Sequence, residues 1–294
     1  MDALWVQYVF LPKGHLFNVS LQTPYRSRLT THGNKEVRGM AFKHIQTELK
    51  DGVAYLTLSR APLNWLNIEM MEEINTHLES LMKEKPLKLL VIQAVGKAFS
   101  VGVEVAEHLG DLAPKMIETF HKMFRMMDAL KIPSLAVVNG SALGGGCELA
   151  FYCDMVIATE KTKFGQPEIQ VGVFPPIAAL ILPRIMGRKK AMELILAGDT
   201  ITAPDALAMG LINKVVPEAS LSEEVNGFVD KFKKLSGVVL RLTKEAILTG
   251  LNDDLDKGLK VIEKIYLEQL MKTHDAMEGL NAFCEKRKPT WKDN

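Results

Sequence analysis

The segment Asn139-Gly140-Ser141-Ala142-Leu143-Gly144-Gly145-Gly146-Cys147-Glu148 places three consecutive glycines between an apolar, strand-like run (Leu135 to Val138) and a helix-compatible run (Leu149 to Cys153). Glycines at such a junction let another molecule approach bare backbone. The first N–H groups of the following helix have no intrahelical acceptor and carry the positive end of its dipole. Such donors suit an oxygen that gains negative charge during a reaction. Glu148 adds a carboxylate on the same turn. Helical side chains lean toward the N-terminus, so this one is expected to lie over Gly144 and Gly145. A tight turn with a solvated glutamate would use the same residues, so a second segment has to decide. Gly140, Gly144 and Gly146 lack the dinucleotide spacing, and no Lys-Ser or Lys-Thr follows as a phosphate loop requires.

That second segment is Phe164-Gly165-Gln166-Pro167-Glu168. Pro167 fixes its own φ and biases Gln166 toward an extended conformation, so Glu168 is presented from a stiff turn. Phe174, Pro175 and Pro176 follow as an apolar wall. If Glu148 and Glu168 converge in a partly dry pocket, their pKa values separate, and one holds a proton while the other accepts one. The pair would titrate as a unit. A water held between them could then be split across a polarised double bond.

The elements that must position these groups follow from periodicity. Ile45 to Leu49 and Val53 to Leu58 flank Asp51-Gly52 and read as a hairpin. Ile68 to Met82 and Lys115 to Leu130 have helical spacing, the second with core-type methionines at 116, 123, 126 and 127. Leu87 to Ala94, Ser134 to Val138, Met155 to Thr159 and Ile212 to Val216 read as strands. Beyond about residue 177 the pattern is mostly helical: Ala178 to Met186, Lys189 to Ala197, Ala203 to Met209, Glu223 to Leu235, Val238 to Thr249, Leu255 to Met271 and Asp275 to Lys286. Strand–strand–helix units followed by helices predict a mixed α/β architecture. Residues 1–39 show no sustained period and are expected to be a poorly ordered or loosely docked extension.

In the 294-residue chain, 47% hydrophobic and 24% charged residues are ordinary for a globular protein. A formal net charge of +1 provides no field for nucleic acid or an anionic membrane. No stretch reaches a transmembrane length. Cys147, Cys153 and Cys284 have no metal-ligand spacing and cannot all pair, which favours a reducing, cytoplasmic setting and no metal. Cys147 reads as a packed residue, not a nucleophile, since no base stands next to it.

The run from Val138 to Ala150 resembles the signature of the enoyl-CoA hydratase (crotonase) superfamily, and Phe164 to Ile169 is similar to its second signature. Lys97-Ala98-Phe99 with Gly102 resembles its first oxyanion segment. The resemblance extends from about Phe42 to the end, including Phe283-Cys284-Glu285-Lys286-Arg287-Lys288. It implies a crotonase-like spiral of ββα units over residues 40–199 and a helical trimerisation region over 200–294, assembled as a homotrimer or homohexamer. It further implies an acyl-CoA substrate, no cofactor beyond the coenzyme A that the substrate carries, and an oxyanion hole made by the Val103 and Gly145 N–H groups. Glu148 would be the base on water and Glu168 the proton donor to Cα. Glu104, Val105, Ala106, Gly144, Phe174 and Pro176 would line the substrate. Val103-Glu104 where Ala-Asp is common, and the proline-stiffened 173–179 segment, resemble cyclohexa-1,5-diene-1-carbonyl-CoA hydratases. A double-bond isomerase and a non-catalytic, RNA-binding relative are the alternatives, although Lys83, Lys85 and Lys88 make no convincing basic comb.

Overall fold

The computed structural model describes residues 42–251 and 253–294, so the expected extension over 1–39 lies outside the described residues. The first hairpin pairs β1 (Ile45–Lys50) with β2 (Val53–Leu58), and its turn places both Asp51 and Gly52 at positive φ (53° and 77°). Two consecutive left-handed residues of the Asp-Gly type match the right-handed twist of the strands that they join.

After β2 the chain repeats one move. Leu66 forms a single bridge to Val103 and leads into α1 (Ile68–Leu81). Next, β3 (Leu89–Ala94) is followed by β4 (Ala98–Ser100) and α2 (Leu112–Leu130). Then β5 (Ser134–Val138), β6 (Ser141–Leu143) and α3 (Gly145–Tyr152) repeat the pattern. In the following turn β7 (Met155–Thr159) and β8 (Lys163–Gly165) lead through a 3-10 turn, Pro167–Val171, to α4 (Pro176–Ile185). The rest comprises α5 (Arg188–Ala197), β9 (Thr200–Thr202), α6 (Ala203–Ala208), β10 (Lys214–Val216), α7 (Leu221–Lys233), α8 (Gly237–Gly250), α9 (Leu255–Lys264) and α10 (His274–Cys284).

From β3 to β8 each repeat lays one strand in each of two sheets. The larger has the order β1-β2-β3-β5-β7-β10 and is parallel from β2 onward; the smaller has the order β4-β6-β8-β9, with β9 antiparallel. Successive ββα turns therefore stack as a spiral, as expected. The larger sheet is covered on both faces, which explains the unbroken apolar run Leu89-Leu90-Val91-Ile92. Leu56, Leu90, Ile92 and Val138 pack with Ile74, Leu78, Met123 and Leu149 of α1, α2 and α3, whereas Val53, Leu89, Val91 and Leu135 pack with Val225 and Val229 of α7.

The smaller sheet was not expected, because three-residue strands are too short to show a period. α2 starts at Leu112, not Lys115, since Pro114 is tolerated in a first turn where its N–H would have no acceptor. The helix expected from Leu255 to Met271 ends at Lys264 and gives way to a π turn, Ile265–Gln269. Ile265 there joins Val238 and Leu242 of α8 in a small apolar cluster, and Thr273 Oγ1 caps α10 by accepting from Ala276 N at 3.1 Å.

Candidate active site

The smaller sheet carries the segments that the sequence singles out. β6 ends at Leu143, and Gly144 turns the chain at φ 50° and ψ −131°, its N–H donating to Gly165 O at 3.0 Å. An L side chain is strained in that conformation. The loop leaving β4 comes against this turn. A Cβ on Gly102 would stand 3.2 Å from Leu143 O and 3.5 Å from Gly145 N, and a Cβ on Gly145 would fall 2.8 Å from Val103 Cγ2. Val103 and Gly145 are thus brought together. The bridge to Leu66 uses the flanking groups, with Leu66 N donating to Gly102 O (2.9 Å) and Glu104 N to Leu66 O (3.0 Å), which turns the Val103 N–H away from Leu66. Among the described residues, neither the Val103 nor the Gly145 N–H donates to a backbone acceptor.

Glu148, in the first turn of α3, is 2% exposed. Its Oε1 accepts from Ala178 N at 2.8 Å. α4 begins at Pro176 after Pro175 and has no side-chain cap of its own, so a glutamate of another helix supplies one. Burial pushes the Glu148 carboxyl up to about 8; the Ala178 N–H opposes this in part and the Glu168 charge adds to it. Glu168 sits in the 3-10 turn after Pro167, where burial raises its carboxyl to about 7. Its Oε1 lies 2.7 Å from where a Gly144 Cβ would be, while its Oε2 is buried without a partner among the described residues. The carboxylate against Gly144 is therefore that of Glu168. Glu148, also expected there from the lean of helical side chains, is held by the free N–H end of α4. Gln166 is fully buried and its amide has no partner on either atom among the described residues.

The remaining expected residues border this centre in sequence. Val105 and Ala106 are exposed in a 3-10 turn, Val105–His108, while Pro176 opens α4 and the neighbouring Phe174 is exposed. Both segments that leave the centre, toward α2 and toward α4, present apolar side chains, Leu109 and Leu112 on one, Val171 and Val173 on the other. The Glu104 carboxylate is engaged by Arg60, which no sequence pattern singled out. Phe120 was also missed as a site neighbour; its Cζ would stand 3.1 Å from a Gly145 Cβ. Cys147 is buried with a thiol pushed well above its ordinary range, consistent with packing.

Two backbone donors unengaged among the described residues, with two buried carboxyls whose pKa values burial raises toward neutrality, are the parts of an enzyme that stabilises an oxyanion and moves protons. A family model described as enoyl-CoA hydratase/isomerase matches residues 48–294. A probable mitochondrial enoyl-CoA hydratase of Dictyostelium discoideum is 37% identical over 252 residues, covering 83% of this chain and 89% of its own. A cyclohexa-1,5-dienecarbonyl-CoA hydratase of Thauera aromatica is 33% identical over 238 residues, covering 81% and 92%. The crystal structure of an enoyl-CoA hydratase from Bacillus anthracis superposes with a TM-score of 0.81 at 31% identity, covering 86% of this chain and all of that one. The chain belongs to the enoyl-CoA hydratase/isomerase family, and its relatives place it among the hydro-lyases of that family.

Proposed function

We propose that the protein adds water across the double bond of a 2-enoyl-CoA thioester. The N–H groups of Val103 and Gly145 receive the thioester oxygen, which becomes enolate-like as the nucleophile adds at Cβ, and two fixed donors favour that state over the ground state. Glu148 takes a proton from the water and Glu168 delivers one to Cα, with the roles reversed in dehydration. The observation that carries this reading is a pair of carboxyls raised by burial, Glu168 to about 7 against Gly144 and Glu148 to about 8 on the helix that follows the turn, close enough that the charge of one raises the other. At neutral pH such a pair shares its protons, as a group that must both give and take one requires.

The acyl group we favour is a flat, cyclic dienoyl such as cyclohexa-1,5-diene-1-carbonyl, because Pro175 and Pro176 stiffen the wall beside Glu148. Pocket shape governs discrimination among apolar acyl groups. Side-by-side assays with crotonyl-CoA and cyclohexa-1,5-diene-1-carbonyl-CoA test it: a higher kcat/KM for the cyclic thioester supports the assignment, and a higher value for crotonyl-CoA overturns it while leaving the hydratase reading intact. We further propose a homotrimer or a dimer of trimers, supported by the apolar side chains that α9, α10 and their approaches expose, including Leu255 at 76% and Phe283 at 84%.

A further inference from the structure

Glu104 was expected to line the substrate, yet its Oε2 accepts from Arg60 Nη1 at 3.0 Å, and the same Nη1 donates to Trp65 O at 3.0 Å. Both charged side chains are about two-thirds buried, at 30% and 32% exposed. The contact closes a splint in which residues 60–68 run beside 95–107. Val101 N donates to Leu63 O, Leu66 N to Gly102 O and Glu104 N to Leu66 O. Fully buried Asn64 donates from Nδ2 to Val95 O and Ala98 O and accepts from Arg60 N, while Glu107 Oε2 accepts from Ile68 N at 2.7 Å. The Val103 N–H shares its peptide with Gly102 O, which Leu66 N holds, and Leu66 N shares its peptide with Trp65 O, which Arg60 holds, while Glu104 N anchors the peptide that follows.

We propose that Arg60 is a positioning residue for the oxyanion hole, acting through Glu104 and the Trp65 carbonyl to fix the peptide that carries the Val103 N–H. The inference rests on the hydratase reading above and reassigns Glu104 from substrate contact to support. Arg60 has a second effect at the same place. A carboxylate one residue from a donor to a developing oxyanion opposes that charge unless it is paired, and the guanidinium pairs it.

The test uses 4-dimethylaminocinnamoyl-CoA, whose absorption moves to longer wavelength when its carbonyl is polarised, together with steady-state hydration of crotonyl-CoA. In Arg60→Gln at least half of the bound-state red shift is lost and kcat falls about tenfold or more, as a displaced donor requires, with KM within about threefold. Arg60→Gln/Glu104→Gln regains part of that kcat, because the unpaired carboxylate is gone; a merely structural arginine gives no such recovery. Arg60→Gln with full red shift and full kcat overturns the proposal. Should that variant not fold, Glu104→Ala breaks the contact from its other end and is expected to lose part of the shift, an unchanged shift again overturning it. Absence of any red shift in the unmodified enzyme would sink the oxyanion-hole reading itself, whereas a wild-type shift that survives in both variants sinks only the role of Arg60.

Discussion

Glu148 and Glu168 are costly residues for the fold, and that cost has a measurable pH signature. In the unfolded chain both are ionised above about pH 5, whereas in the folded state burial keeps protons on them to about 8 and about 7. Between these limits the folded state binds more protons than the unfolded one, so stability falls as pH rises. Through Glu148 alone the loss between pH 6 and pH 9 is about 3 kcal/mol. Urea titrations across this range are expected to show that decline, and Glu148→Gln, which cannot ionise, is expected to flatten it; an equal slope in the variant would contradict the assignment. His77 acts on the acid side. It is 1% exposed, neither ring nitrogen has a partner among the described residues, and burial lowers its pKa to about 4. The unfolded chain takes up this proton near pH 6.5 and the folded one does not. About 3 kcal/mol of stability is therefore lost as pH falls from 6.5 to 4. His77→Leu should remove that limb, which denaturant midpoints at pH 7 and pH 4.5 would reveal.

At the scale of elements, the short strands of the second sheet, and not the long ones that hold the core, place the residues of the proposed site. β4 and β6 deliver the Val103 and Gly145 segments side by side, and β8 delivers Glu168 against Gly144. Gly145→Ala should be damaging without touching either carboxylate, since its Cβ would meet Val103 Cγ2 at 2.8 Å and the Phe120 ring at 3.1 Å. Displacing one oxyanion donor costs roughly 100-fold in kcat. Steady-state rates for this variant, with circular dichroism to confirm folding, check the prediction; wild-type kcat would refute it. The same geometry explains what could be read from the sequence. Long elements such as α1, β3, β5 and α2 announce themselves by period, and the glycine turn and Pro167-Glu168 by residue type. Three-residue strands carry no period, and Arg60 reaches Glu104 across 44 positions of chain, so neither leaves a local pattern. The partner of Glu148 was hidden for a related reason: it is the N–H end of α4, 30 positions away.

For the whole molecule, the ββα spiral supplies a rigid frame, and the helices after it expose apolar faces such as Leu251, Leu255, Leu267 and Phe283. Among the described residues no helix is long and apolar enough to cross a membrane. Sedimentation velocity is expected to give a trimer or hexamer, and a stable monomer at micromolar concentration would refute the proposed assembly. The proposed hydration depends on two glutamates handling one water. Incubation of crotonyl-CoA with the enzyme in H2(18)O, followed by mass measurement, tests this most directly. The expected product is heavier by one labelled water, formed about 100-fold or more slowly by Glu148→Gln and by Glu168→Gln. A product of unchanged mass with a moved double bond, or label incorporated at wild-type rate by either variant, would contradict it.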